Sequence, residues 1–111
     1  MNYYNKKNIP YVSVLMSVHN SENTVNFAID SILNQTFSNF ELLIMNDCST
    51  DKTQKILEKY QNVDSRIKLF NNSTNLGLTR SLNTLIENSN GSFIARQDAD
   101  ESSCGLGQQT G

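Results

Sequence analysis

The chain has 111 residues, 37% hydrophobic and 18% charged, the composition of a single globular domain near the lower limit for a self-sufficient core. Nine Lys and Arg against eleven Asp and Glu leave a net charge of −2. No basic stripe stands out, which excludes a nucleic-acid surface built on phosphate contacts. The first apolar run, YVSVLMSV (11–18), is too short to span a membrane, and no signal-like apolar segment precedes it. A cytoplasmic location is therefore expected, with a place peripheral to the inner face of the membrane left open. Cys48 and Cys104 have neither CxxC nor metal-ligand spacing, and read as free thiols.

YVSVLMSV is nearly continuous in apolar and β-branched residues, as in a strand covered on both faces. Beyond HNSEN, apolar residues at Val25, Ala28, Ile29, Ile32 and Leu33 predict a helix with one buried face. Asn20 or Ser21 is placed to cap it, and Glu22 suits the positive end of its dipole. FELLIMN (40–46) reads as a second buried strand. DCSTD follows, with Ser49 or Thr50 as a cap for a helix turning Ile56, Leu57, Tyr60 and Val63 inward. RIKLFN (66–71) alternates, as a more exposed strand does. Leu78, Leu82, Leu85 and Ile86 mark a third helix, which Asn90-Gly91 ends, and SFIARQ (92–97) is a fourth strand.

Strands and helices alternate without a hairpin signal, which predicts right-handed βαβ crossovers and a mainly parallel sheet: an α/β fold in three α/β/α layers. Such sheets bind ligands beyond the C-terminal ends of their strands. His19, Asn20 and Glu22 follow strand one, Asp47 and Ser49 strand two, NNSTNLGLTR strand three, and Asp98 and Asp100 strand four. Asp47 could equally form an Asx turn, and Arg80 could be a solvated helix charge. The DxD pair says more, because two carboxylates one residue apart suit a divalent cation that also binds a diphosphate. Neither G-x-G-x-x-G nor a P-loop is present, so no glycine-rich loop cradles phosphate here.

Four stretches, VSVLMSVHNSENTV, SILNQTFSNFELLIMNDCSTDKT, NLGLTRSLN and ARQDADE, stand in this order between residues 10 and 101. Together they resemble the N-terminal half of a family 2 glycosyltransferase with the GT-A fold. The resemblance implies inverting transfer of a sugar from a nucleotide-diphosphate donor, UDP-sugar foremost, to a hydroxyl of a glycan or lipid-linked acceptor, with Mn²⁺ or Mg²⁺. Ser17, Val18, His19 and Asn20 fall on the family's P-x-Y-N motif, with His19 against the nucleobase in place of Tyr. Glu22 matches the pattern, and Asp47 matches the acid that bonds the base. Arg80 stands near a basic residue of the family. Asp98 would reach the ribose or assist the metal, and Asp100 would bind it. Ser17 replaces the usual Pro and Cys48 the usual Gly, where a Cβ tightens the turn if φ is positive.

By the same resemblance no catalytic base falls within the chain, since the family's base lies downstream of the DxD. ESSCGLGQQTG does not resemble the family's continuation. The chain thus reads as a leader (1–9), a nucleotide-sugar-binding half-domain (10–101) and a disordered tail (102–111), truncated after the DxD. Strand four would then expose an open sheet edge suited to self-association. The alternative is a non-catalytic nucleotide-binding remnant.

Overall fold

Residues 11–35 and 39–97 are described by the computed structural model, and along them strands and helices alternate. In chain order they are β1 (Val12–Val18), α1 (Val25–Leu33), β2 (Phe40–Asp47), α2 (Thr53–Val63), β3 (Ile67–Asn72), α3 (Leu78–Glu87) and β4 (Phe93–Arg96). The sheet order is β3-β2-β1-β4 with every pairing parallel, Val12 standing opposite both Phe40 and Phe93. The chain steps outward from β1 through β2 to β3, then returns to the other side of β1. That reversal places a crevice between the C-terminal ends of β1 and β4, where open α/β sheets take their ligands.

Period-two alternation sorts the strand residues between two layers. Val14, Met16, Val18, Leu42, Ile44 and Ile67 form one core with Val25, Ile29, Ile32 and Leu57, beneath α1 and α2. Leu15, Leu43 and Met45 face the other way and meet Leu85 of α3. The central strands read as unbroken apolar runs because each face of β1 and β2 has its own helical cover. Tyr60 ties α2 to α1 by donating from its hydroxyl to Asp30 Oδ1 at 2.7 Å. Burial, then the Asp30 carboxylate, push that phenol up to about 12.

Three of the apolar positions expected to point inward do not. Val63 is 79% exposed, because it lies six residues beyond buried Leu57, about 240° around the helix. Ile86 lies about 100° around from Leu85, and it and Leu78 are both 47% exposed. Among the described residues α3 alone covers this face, and no other described element lies beside its flanks. Both edge strands are the exposed ones, and all four residues of β4 lie open. Among the described residues no helix is long and apolar enough to cross a membrane.

The α3 side of the sheet also buries a polar cluster. Glu41, second residue of the apolar strand β2 and 3% exposed, accepts from Ser13 Oγ and from the Asn90 N–H, each at 2.6 Å. Ser13 Oγ in turn accepts from the Gly91 N–H at 2.8 Å, and Lys68 Nζ stands 4.0 Å from Glu41 Oε1. Sequence periodicity makes Glu41 one more residue of a buried strand. Its role is visible only once α3 has brought the 88–91 turn back against it.

Candidate functional site

β1, β2 and β3 end side by side, and the loops that leave them are bonded to one another. Asp47, the last residue of β2 and 4% exposed, is the hub. Its Oδ1 accepts from Asn72 Nδ2 at 2.9 Å and from the Leu76 N–H at 2.8 Å, while Oδ2 accepts from the Gly77 N–H at 2.9 Å. The carboxylate thus sits at the positive end of α3, where it suits the helix dipole. Gly77 precedes that helix at φ +89°, ψ 170°, a conformation open essentially to glycine alone. Burial raises the Asp47 pKa, but the bonds from Asn72, Leu76 and Gly77 outweigh it and hold the carboxyl below its ordinary value of 3.8.

His19 is exposed at the end of β1, and its Nδ1 lies 2.7 Å from the Asp47 main-chain oxygen. A carbonyl oxygen only accepts, so the ring proton belongs on Nδ1 and Nε2 of the neutral ring keeps its lone pair. One bond therefore sets both the tautomer and the ring orientation. Asn20 follows in left-handed backbone at φ +48°. Its Oδ1 accepts from the Thr50 N–H at 2.7 Å, and its own N–H donates to Ser49 Oγ at 2.9 Å. The Ser21 N–H donates to Thr53 Oγ1, and the Glu22 N–H to Asp51 Oδ2. Glu22 Oε1 accepts from the Lys52 N–H at 2.9 Å.

These bonds revise the expected caps. Neither Asn20 nor Ser21 caps α1, and neither Ser49 nor Thr50 caps α2; the cap positions are Thr24 and Lys52, neither of which caps its helix with its side chain. The capping is exchanged between loops instead. Glu22 serves the start of α2, and Asp51 accepts from both Glu22 and Thr53. Burial opposes ionisation of Asp51, yet the bonds from Thr53 and Glu22 prevail and keep its pKa below the ordinary value. At the start of α2 the Lys52 and Thr53 amides are thus both engaged by carboxylates.

The remaining expected site residues divide. Ser17 is half-buried near the edge, whereas the Val18 side chain belongs to the core, so Val18 brings only main chain to the site. Arg80 is exposed on the first turn of α3, turned away from buried Ser81 and Leu85. Asp98 and Asp100 lie outside the described residues, and among those described no cluster of three metal-ligating side chains occurs. The Gln97 N–H, donating to Leu15 O at 2.9 Å, is the last described point before them. Asn72, in the sequence only one member of the loop NNSTNLGLTR, links Asp47 to Ser81 Oγ, at 2.9 and 3.0 Å.

Cys48 adopts φ +59°, the left-handed region in which a Cβ costs about 1–2 kcal/mol. Its thiol is a weak donor, 3.4 Å from the Ser73 carbonyl. Cys48→Gly relieves the strain at the expense of unfolded-state entropy of about 0.5–1 kcal/mol. The expected result is a rise in Tm of a few degrees in a thermal melt; a fall would mean that the sulfur contact outweighs the strain.

The model of the family described as glycosyl transferase family 2 matches residues 13–103. Over 95 residues the chain is 42% identical to an uncharacterized glycosyltransferase of Haemophilus influenzae, covering 86% of this chain and 29% of that protein. It is also 42% identical over 91 residues to the UDP-Glc:alpha-D-GlcNAc-diphosphoundecaprenol beta-1,3-glucosyltransferase WfgD of Escherichia coli, covering 81% and 35%. Among solved structures, S. aureus TarS 1-349 in complex with UDP-GlcNAc superposes with a TM-score of 0.76 at 32% identity, covering 81% of this chain and 26% of that one. The chain therefore spans about a third of the length of the curated relatives it matches.

Proposed function

The chain belongs to glycosyl transferase family 2, and from that premise we propose that its sheet edge binds the nucleoside diphosphate of a sugar donor, a UDP-sugar foremost. The reading rests chiefly on one observation: three strand-end loops meet at Asp47, whose main-chain oxygen holds the His19 ring and whose buried carboxylate holds the loop after β3. His19 offers an oriented ring to the base. Asp47 Oδ2 has one described donor, so it keeps acceptor capacity for a base N–H. Ser17 and the Val18 main chain line the end of β1, and Asn20 and Glu22 serve the site through the loop they hold. Arg80 is the cation that α3 brings nearest to this edge.

Asp98 and Asp100 are the ligands proposed for Mn²⁺ or Mg²⁺, which would supply the countercharge for the diphosphate. Support comes from the spacing of the pair, two carboxylates one residue apart just beyond β4, beside the crevice between the C-terminal ends of β1 and β4. In inverting transfer an acceptor hydroxyl of a glycan or lipid-linked sugar loses its proton and bonds to the anomeric carbon. The bond from that carbon to the diphosphate breaks on the opposite face. The carboxylates at the described edge, Glu22, Asp47 and Asp51, all accept amide hydrogens. The base is accordingly proposed to lie outside the described residues.

Titrating the 111-residue chain with UDP, with and without Mn²⁺, tests the reading. Weak, metal-strengthened binding is expected, and Asp100→Ala should remove the metal dependence while leaving metal-free binding in place. No binding at millimolar UDP would sink the proposal. The reading also has the open β4 edge, with Phe93 54% and Ile94 47% exposed, pair with a second copy of the chain. Light scattering should then show mass rising with concentration; a monomer throughout would refute the pairing.

A further inference from the structure

Two loops leave the sheet edge, residues 19–24 after β1 and 48–52 after β2, and neither bonds chiefly within itself. Five main-chain N–H groups reach across to side-chain oxygens, four within these loops and one on Thr53 at the start of α2. Asn20, Ser21 and Glu22 donate to Ser49, Thr53 and Asp51, at 2.9, 2.8 and 3.2 Å. Thr50 and Lys52 donate in the other direction, to Asn20 and Glu22, at 2.7 and 2.9 Å. His19 adds a sixth link through the Asp47 carbonyl. Such bonds fix the separation of the loops far better than packing of short polar side chains could.

We infer that Asn20 and Glu22 are positioning residues: they lace the two loops into one body and act on the donor only through the His19–Asp47 wall that this body carries. The inference rests on the donor-site reading above. Asn20 suits the task twice, since asparagine tolerates the left-handed backbone found here and its Oδ1 reaches the Thr50 amide. Backbone held at φ +48° persists only where the surroundings over-determine it, and the bonds at Asn20 N and Oδ1 do so. Glu22 Oε1 lies on the Lys52 amide, at the start of α2, where a carboxylate suits the helix dipole. Without these two acceptors the wall still exists, but a ligand must order it on binding, and affinity falls by that amount.

Amide hydrogen exchange on the free chain and UDP titration, run on the same variants, test this. Asn20→Ala should expose the Thr50 amide and Glu22→Ala the Lys52 amide. UDP affinity should fall with each by about threefold to tenfold, the usual worth of one such bond. Asn20→Asp and Glu22→Gln keep an acceptor oxygen, so both amide protection and affinity should return towards the wild-type values. Unchanged exchange at Thr50 and Lys52 in the alanine variants would overturn the lacing. Lost protection with unchanged affinity would overturn the positioning role. So would conservative variants that stay protected yet bind as poorly as alanine, because that pattern means direct contact with the ligand. If the wild-type chain itself does not bind UDP, the donor-site reading fails, and the exchange measurements alone decide the lacing.

Discussion

Gly91→Ala should be the most damaging single-methyl change in this chain. A Cβ at position 91 would stand 2.6 Å from Ser13 N, 2.7 Å from Ser13 Oγ and 2.8 Å from Val12 C. Two of those atoms are backbone of β1, a central strand that cannot give way without shifting β2 and β4 with it. The turn has to lift instead, which strains or breaks the Gly91–Ser13 and Asn90–Glu41 bonds and leaves a buried carboxylate short of donors. Overpacking costs about 1–3 kcal/mol, and an unsatisfied buried group a similar amount. A loss of about 3–5 kcal/mol in urea unfolding is expected, a large share of the ~5–15 kcal/mol typical of a domain. Asn90→Ala keeps the Asn90 N–H and serves as a nearly neutral control. A Gly91→Ala loss below about 1 kcal/mol would mean that the turn relaxes freely.

Asp47→Ala comes next, and it should act on folding and binding together. The substitution leaves Asn72 Nδ2 and the N–H groups of Leu76 and Gly77 without their acceptor, at the start of α3. Bonds to a charged group are worth about 1.5–3 kcal/mol each, and with partial solvent compensation a total of about 3–5 kcal/mol is expected. Amide exchange should speed up at Leu76 and Gly77 before it does in the sheet. Asp47→Asn keeps one acceptor oxygen and turns an NH₂ toward a donor, so its loss should be smaller while UDP binding still weakens. If Asp47→Ala leaves exchange at Leu76 and Gly77 unchanged, Asp47 is not the hub.

The same carboxylate dictates the acid response. Asp47 and Asp51 are held below their ordinary value when folded, and so is Asp64, chiefly by the Arg66 side chain 2.8 Å away. A group whose pKa is lower in the folded state contributes stability that is fully present above its unfolded pKa. That stability is lost as pH falls through the folded value. Urea midpoints should therefore not fall towards neutral pH on account of these groups, and should decline below about pH 4. The Asp47→Ala variant should show a shallower decline.

Much of the fold was legible because burial leaves a period in the sequence. YVSVLMSV and FELLIMN read as strands covered on both faces, and β1 and β2 are the two central strands. The spacing of Val25, Ala28, Ile29 and Ile32 likewise marks the buried face of α1. Val63, Leu78 and Ile86 show where that reasoning stops. An apolar residue on a helix flank is buried only if another element lies beside it, and periodicity says nothing about neighbours. The conditional reading of Cys48 depended on the sign of φ, which only the backbone supplies; it is positive.

By itself, then, the sequence determined the strand–helix alternation, the parallel α/β class and the set of polar residues that follow the strands. All of these depend on contacts between residues close in the chain, or on one residue's preference for burial. Only the tertiary structure decided what those polar residues bond to. Asn20 and Glu22 hold a loop some thirty positions away, Asp47 holds the start of α3, and Glu41 holds a turn 49 residues distant. A hydrogen bond has a reach of about 3 Å and needs a donor with the right direction. Neither requirement leaves any mark on the spacing of residues along the chain, so such partners become known only when the sheet has set its loops side by side.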